Sequence, residues 1–206
     1  MTRPAAVLAV VAALLAGCGG DDDEAAKAPP SREARLVSAL REGGLVMAFR
    51  HALTDQSYDR EAGDYADCSR QRNLSRDGRK QARAIGQALR ELRIPVGDVL
   101  SSPYCRTRDT AQLAFGRVRI SRTLLPARGE DDPKLARFER LLGRAPKSGT
   151  DTVLVGHNDT MLAAANLELP EAGAAIFRPA GGGRYRLVGT VEPTRWPVLA
   201  RELGDS

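Results

Sequence analysis

Histidine, cysteine and aromatic side chains are scarce in this 206-residue chain: two His, three Cys, and nine aromatics divided among four Phe, four Tyr and one Trp. With so few Cys and His, a zinc site of the four-cysteine kind, or of the two-cysteine, two-histidine kind, can scarcely be assembled. No metal-ligand cluster is visible beyond the two histidines, and no cofactor motif is present. The shortage of aromatics leaves Leu, Val, Ile and Ala to build the core and removes the stacking platforms that bind single-stranded nucleic acid. Long apolar runs are lacking too. The longest, Ala5 to Ala16, has twelve residues, short of the ~20 that a membrane-spanning helix needs. What the chain does have is a globular balance, 42% hydrophobic and 28% charged, which excludes a wholly disordered or fibrous protein. At this length it implies one domain, with at most an accessory segment.

The apolar run is preceded by Arg3 and followed by Gly17-Cys18, the order of charged, apolar and small-residue regions in a secretory signal. The tetrapeptide Leu15-Ala16-Gly17-Cys18 resembles the bacterial lipobox. That resemblance implies a signal over 1–17, a lipid on Cys18, and a membrane-anchored protein outside the cytoplasm, periplasmic or at the cell surface. Residues 18–30 are polar without periodicity and read as a flexible tether, leaving 31–206 as the folded domain. The first thirty residues hold Arg3, Lys27 and four acids, so the remainder carries 29 basic against 22 acidic side chains, near +7. Arg is spread along every segment rather than gathered in one run, which points to a solvated surface and an anionic substrate, and away from nucleic acid. Export implies an oxidising compartment. With Cys18 lipidated, Cys68 and Cys105 remain as an even pair, either two free buried thiols or a disulfide closing a loop of roughly 37 residues and contributing about 3 to 4 kcal/mol.

Within the domain, residues 34–42 have helical periodicity through Leu36, Val37 and Leu40 and stop at Gly43-Gly44. The continuous apolar run from Leu45 to Phe49 predicts a strand covered on both faces, ending in Arg50-His51. Thr54 to Arg72 is polar and reads as a long loop. Ser75 offers an N-cap, with Asp77 in the first turn, to a helix reaching Arg93. A short strand over Asp98 to Ser101, a helix from Thr107 to Phe115 and a strand from Val118 to Ile120 come next. The loop from Leu125 to Pro133 carries Gly129-Glu130-Asp131-Asp132, and Leu135, Phe138, Leu141 and Leu142 mark another helix. Thr152 to Val155 predicts a second buried strand ending in Gly156-His157-Asn158-Asp159, with a helix from Thr160 to Leu167 behind it. Strands over Ala174 to Phe177 and Tyr185 to Val191 close the pattern. Strands alternating with helices make an α/β sandwich.

Both histidines follow a buried strand directly, and ligands of open α/β sheets bind outside the carboxyl ends of the strands. Arg50-His51 and Gly156-His157 should therefore converge, and Arg106, past a third strand end at the opening of a helix, should join them. Two histidines, two arginines and a helix N-terminus suit a phosphoryl group. In motif terms the chain resembles the histidine phosphatases of the phosphoglycerate mutase-like superfamily. The carrying segments are Arg50-His51-Ala52, Leu74 to Ala82 with Gly78 and Gln81, Ser101-Ser102-Pro103-Tyr104-Cys105-Arg106 with Thr110-Ala111, and Gly156-His157. The resemblance implies a three-layer fold with a mostly parallel central sheet between helices.

It also implies a metal-independent phosphoric monoester hydrolase acting on a small phosphorylated substrate, with His51 as the nucleophile that becomes phosphohistidine. Arg50, Arg106 and His157 would hold the phosphoryl oxygens. Ala52 departs from the family's usual glycine. The family's acid, which protonates the leaving group, has no fixed motif here: Glu130 stands first, with Asp131 and Asp159 as alternatives, while Glu130 to Asp132 also suit a helix N-terminus without chemistry. A non-catalytic phosphate-ligand-binding lipoprotein and a phosphomutase are the other readings.

Overall fold

In the computed structural model, which describes residues 30–56, 65–127 and 131–204, the two apolar runs become neighbouring strands at the middle of one sheet. Strand β1 is Val46–Arg50 and β4 is Asp151–Gly156. They pair in parallel from Val46 opposite Thr152 to Arg50 opposite Gly156. With β2 (Val96–Ser101), β3 (Arg119–Ile120), β5 (Ala174–Pro179) and β6 (Tyr185–Val191) they form a six-stranded sheet in the order β3-β2-β4-β1-β5-β6. The β3, β2, β4 and β1 pairings are parallel and β5 is antiparallel to both its neighbours.

Side chains alternate across a strand, and here each set is covered. Met47, Phe49, Val153, Val155 and Ile176 pack with helices α1 (Arg32–Glu42), α2 (Arg76–Glu91) and α6 (Arg195–Leu203). Val46, Ala48, Leu154, Ala175 and Phe177 pack with α4 (Pro133–Leu142) and α5 (Asn158–Ala165) on the opposite face. The sheet is thus the middle of three layers, and α3 (Cys105–Phe115) completes the first helical layer by packing on α2. Doubly covered strands favour apolar residues on both faces, which is why Val46 to Phe49 of β1 and Val153 to Val155 of β4 read as unbroken apolar runs.

Ser75 caps α2 as its sequence position suggests, its hydroxyl accepting from the Gly78 N–H at 3.0 Å. Gly78 has a further purpose: a Cβ there would lie 1.9 Å from the Leu53 carbonyl oxygen, so only glycine lets α2 begin against the segment that follows His51. Two features differ from the sequence expectation. The Thr54 to Arg72 stretch contains a short 3-10 turn at Cys68–Arg70 and an antiparallel bridge from Thr54 to Leu74. Helix α6 was not expected. Pro197 masks its periodicity, yet proline is compatible with a first turn, where backbone N–H groups have no helical partner, and Trp196, Leu199 and Ala200 make a buried face.

Candidate active site

Three strand ends build the site. Arg50 ends β1 and His51 follows it; the His51 N–H donates to the Gly156 carbonyl at 3.1 Å, and the Ser102 N–H to the Val155 carbonyl at 3.0 Å. The carboxyl ends of β1, β4 and β2 are therefore fastened side by side. His51 and His157 meet with ring centroids 5.7 Å apart. Arg106, from the first turn of α3, brings Nη2 within 3.3 Å of His157 Nδ1 and lies over the Tyr104 ring, its Cζ 4.2 Å from the centroid. The convergence expected of Arg50, His51, Arg106 and His157 is what the fold produces.

Hydrogen bonds set the tautomers. His51 Nδ1 is 2.9 Å from the Ala52 carbonyl oxygen, an acceptor only, so Nδ1 carries the proton and Nε2 keeps its lone pair. A guanidinium only donates, so His157 Nδ1 accepts from Arg106 and its Nε2–H donates to Ser102 Oγ at 2.9 Å. Both rings are buried, His51 at 2% and His157 at 4% exposure. Desolvation is the main force lowering the His51 pKa to about 3; the Ala52 carbonyl opposes it, and the charges of Arg106, Arg50 and Arg72 reinforce it. Desolvation, then Arg106, takes His157 well below the usual imidazole value. Two neutral imidazoles thus sit among cationic guanidinium groups. Arg50 Nη1 donates to the Leu169 carbonyl at 2.8 Å, while its buried Nε has no hydrogen-bond partner among the described residues. An unpaired buried donor costs about 1–3 kcal/mol, and an anion beside it would offset that.

The motif residues around the four acquire physical roles. Thr110 Oγ1 accepts from the Ala52 N–H at 3.0 Å and donates to the Arg106 carbonyl at 2.7 Å, tying the segment after β1 to α3. Gln81 Oε1 accepts from the Leu53 N–H at 3.1 Å. Ala52 is fully buried and is not among the described non-glycine residues with positive φ, so alanine fits there without strain. Cys68 and Cys105 form a disulfide, Cα atoms 5.7 Å apart, that joins the long loop to the first residue of α3. Gln71, from the same loop, accepts from the Cys105 N–H at 2.9 Å.

Beside His157 opens a cleft of about 300 Å³ lined by Tyr65, Tyr104, Leu125, Pro126, Ala127, Lys134 and Asp159. Tyr104 joins it to the site, its ring centroid 5.0 Å from that of His157. The long loop after Thr54 contributes Tyr65 to its wall, and the loop before α4 contributes Leu125, Pro126 and Ala127. Of the candidate acids, Glu130 lies outside the described residues. Asp131 is exposed at the foot of α4, and Asp132 is the N-cap of that helix, accepting from the Lys134 N–H at 2.9 Å. Asp159 lines the cleft. Sequence reasoning missed Ser102 as a partner of His157, Arg72 as a charge near His51, and Glu171, whose Oε1 is 3.7 Å from His51 Nδ1. Among the described residues no group of three or more His, Cys, Asp or Glu is arranged to hold a metal ion.

Comparison with solved structures places this architecture. The SixA of Agrobacterium tumefaciens is 24% identical, with a TM-score of 0.53 over 73% of this chain and 98% of its own. A protein histidine phosphatase SixA complexed with tungstate is 13% identical, with a TM-score of 0.55 over 73% of this chain and 98% of its own. A mycobacterial glucosyl-3-phosphoglycerate phosphatase in complex with VO3 is 20% identical, with a TM-score of 0.52 over 70% of this chain and 97% of its own. No curated protein sequence matches the chain. The described domain has the fold of these phosphatases, and over residues 46–131, from β1 to the loop before α4, its sequence matches the model of the histidine phosphatase superfamily (branch 1).

Proposed function

We propose that the protein is a phosphatase that hydrolyses a small phosphomonoester through a phosphohistidine on His51. One observation carries this reading: a buried, neutral imidazole whose Nδ1 is held by the Ala52 carbonyl, leaving the Nε2 lone pair to attack, beside Arg50, Arg106 and His157. In the first step Nε2 bonds to phosphorus as the bond to the leaving oxygen breaks. In the second, water displaces the histidine. One hard displacement becomes two easier ones. Arg50 and Arg106 hold the charge spread over the equatorial oxygens, and His157 fixes the Arg106 guanidinium through Nδ1 and adds a contact of its own when its Nε2–H turns from Ser102 Oγ to a phosphoryl oxygen. The arginines provide positive charge that other phosphatases take from metal ions, so the reaction proceeds without one. Two of the similar structures hold oxyanions, tungstate and VO3, which is the chemistry such a site accepts.

The cleft beside Tyr104 receives the leaving group. Two acids serve as candidate proton donors, Glu130 by its place in the sequence and Asp159 by its place on the cleft wall; single amide variants of each decide between them. We further propose that the protein is exported and anchored to the membrane through Cys18, on the strength of Leu15-Ala16-Gly17-Cys18. These residues lie outside the described part of the chain. The phosphatase reading is tested by mixing the protein with radiolabelled aryl phosphate and quenching rapidly in base, where phosphohistidine survives. Wild type should label and turn over in the presence of chelator, and vanadate should block it. His51→Ala should neither label nor turn over, and His157→Ala should label slowly, with a rate loss on the order of 10² to 10³. Acid-labile label on His51→Ala, or activity lost to chelator and restored by metal, overturns the reading; binding of phosphate without label or turnover in wild type leaves a non-catalytic binding protein.

A further inference from the structure

The turn from Leu169 to Gly173 is bound unusually closely to the nucleophile. The Ala172 N–H donates to the His51 carbonyl at 2.8 Å, the Arg50 N–H to the Gly173 carbonyl at 3.0 Å, and Arg50 Nη1 to the Leu169 carbonyl at 2.8 Å. Within this turn Ala172 is fully buried and has φ +67°, a left-handed conformation in which an alanine is strained. Such strain persists only where the surroundings impose it. Its effect is to set the preceding residue, Glu171, against His51, with Oε1 3.7 Å from Nδ1.

The Glu171 side chain is only 11% exposed and is gripped from the other side. Thr54 Oγ1 donates to Glu171 Oε1 at 2.6 Å, and the Thr54 N–H approaches Oε2 at 3.4 Å. Gln56 Nε2 donates to Thr54 Oγ1 at 2.9 Å, and Arg72 Nη1 to Gln56 Oε1 at 3.1 Å. A chain of polar contacts therefore runs from Arg72 to a carboxylate on the side of the imidazole away from Nε2.

We propose that Glu171 is a positioning residue for the nucleophile, its carboxylate holding the Nδ1 side of His51 and balancing the positive charge the ring gains when Nε2 bonds to phosphorus. The inference rests on the phosphohistidine reading. As the N–P bond forms and the P–O bond to the leaving group breaks, the leaving oxygen takes a proton from the cleft acid. The ring, which keeps its Nδ1 proton, becomes cationic. Around it stand Arg50, Arg106 and Arg72, all of the wrong sign to help, and among the described residues Glu171 is the carboxylate in contact. When water attacks, the N–P electron pair returns to Nε2, a water proton passes to the conjugate base in the cleft, and the ring is neutral again. A charge that favours the cation therefore speeds phosphorylation and slows hydrolysis of the intermediate.

That asymmetry is the test. Glu171→Gln keeps the shape and an oxygen acceptor for Thr54 but removes the charge. In rapid-quench labelling of the full chain with an aryl phosphate, its phosphorylation rate constant should fall roughly 10- to 100-fold, the usual effect of removing a supporting partner behind a functional histidine. The dephosphorylation rate constant should hold or rise, so steady-state label falls as far as kcat or further. Glu171→Asp should recover part of the phosphorylation rate, and Thr54→Val, which loosens the carboxylate without removing it, should fall between wild type and Glu171→Gln. A merely structural glutamate would instead lower the burst amplitude with both rate constants intact, or lower both alike; either result, or an unchanged phosphorylation rate, overturns the proposal while leaving the phosphohistidine reading in place. Failure of wild type to label removes the underlying reading and this one with it.

Discussion

The burial that keeps His51 neutral should be measurable as a pH-dependent stability. In the folded protein desolvation carries its pKa down to about 3, while an imidazole in the unfolded chain titrates near ~6.5. Below that pH the unfolded state binds a proton that the folded state refuses. Stability therefore falls with pH, by about 1.4 kcal/mol per unit, until the folded pKa is reached. Between about pH 7.5 and 5.0 His51 alone accounts for about 2 kcal/mol, and at 2% exposure solvent screening takes little from it. His157, also lowered, acts in the same direction. Asp151 acts in the opposite one. Its Oδ1 accepts from the Leu45 N–H at 2.8 Å, its Oδ2 is buried without a hydrogen-bond partner among the described residues, and burial pushes its pKa up to about 7. Below that value the folded state holds a proton that the unfolded carboxylate, near ~3.9, does not take up until lower pH, so stability rises on acidification. The wild-type profile is thus a difference of opposing contributions, and a variant comparison isolates the one of interest. His51→Gln replaces the ring with a polar side chain that does not titrate. Its stability relative to wild type should improve by about 2 kcal/mol between the two pH values, a shift of about 1 M in urea midpoint for a slope near 2 kcal/mol/M. Urea unfolding at both pH values checks this. A relative stability constant to within about 0.5 kcal/mol would refute the neutral buried imidazole, and with it the explanation for a free Nε2 lone pair at neutral pH.

Replacing Cys68 and Cys105 together with Ser should lower stability by about 3 to 4 kcal/mol, from the loop released in the unfolded chain; alkylation without reductant should find no free thiol at these positions in the parent protein, and two alkylated cysteines would contradict the bridge. Cys18→Ser should move the protein from the membrane fraction to soluble or unprocessed forms, with loss of a lipid mass increment on the mature N-terminus. Unchanged fractionation of the variant, together with an unmodified parent N-terminus, would count against the anchor.

Much of this site is legible in the chain because its parts are local. An apolar run followed at once by Arg50-His51, and a second followed by Gly156-His157, each announce a strand end carrying a functional group, and the parallel pairing of those strands does the rest. Gly78, Gln81 and Thr110 could be recognised as a pattern before their contacts with Leu53 and Ala52 explained them. Glu171 gave no such signal. It sits in a Pro-Glu-Ala-Gly turn, and its meaning comes from a contact with a histidine 120 positions earlier and from a strained neighbour, neither of which has a local signature. Helix α6 was hidden differently: Trp196, Leu199 and Ala200 have helical spacing, but Pro197 stands between them and reads as a breaker unless the helix start is known.

The pairing of β1 with β4 also governs when the site can assemble. The two strands are about a hundred residues apart along the chain and lie side by side at the centre of the sheet. Closure of so long a segment is entropically slow and is repaid only when the strands meet. Helices α2 and α3 can form from local interactions before then, but His51 and His157 cannot face one another until that closure is made. The proposed phosphoryl transfer would therefore report a long-range event of folding: after dilution from denaturant, helical signal should return first and turnover later.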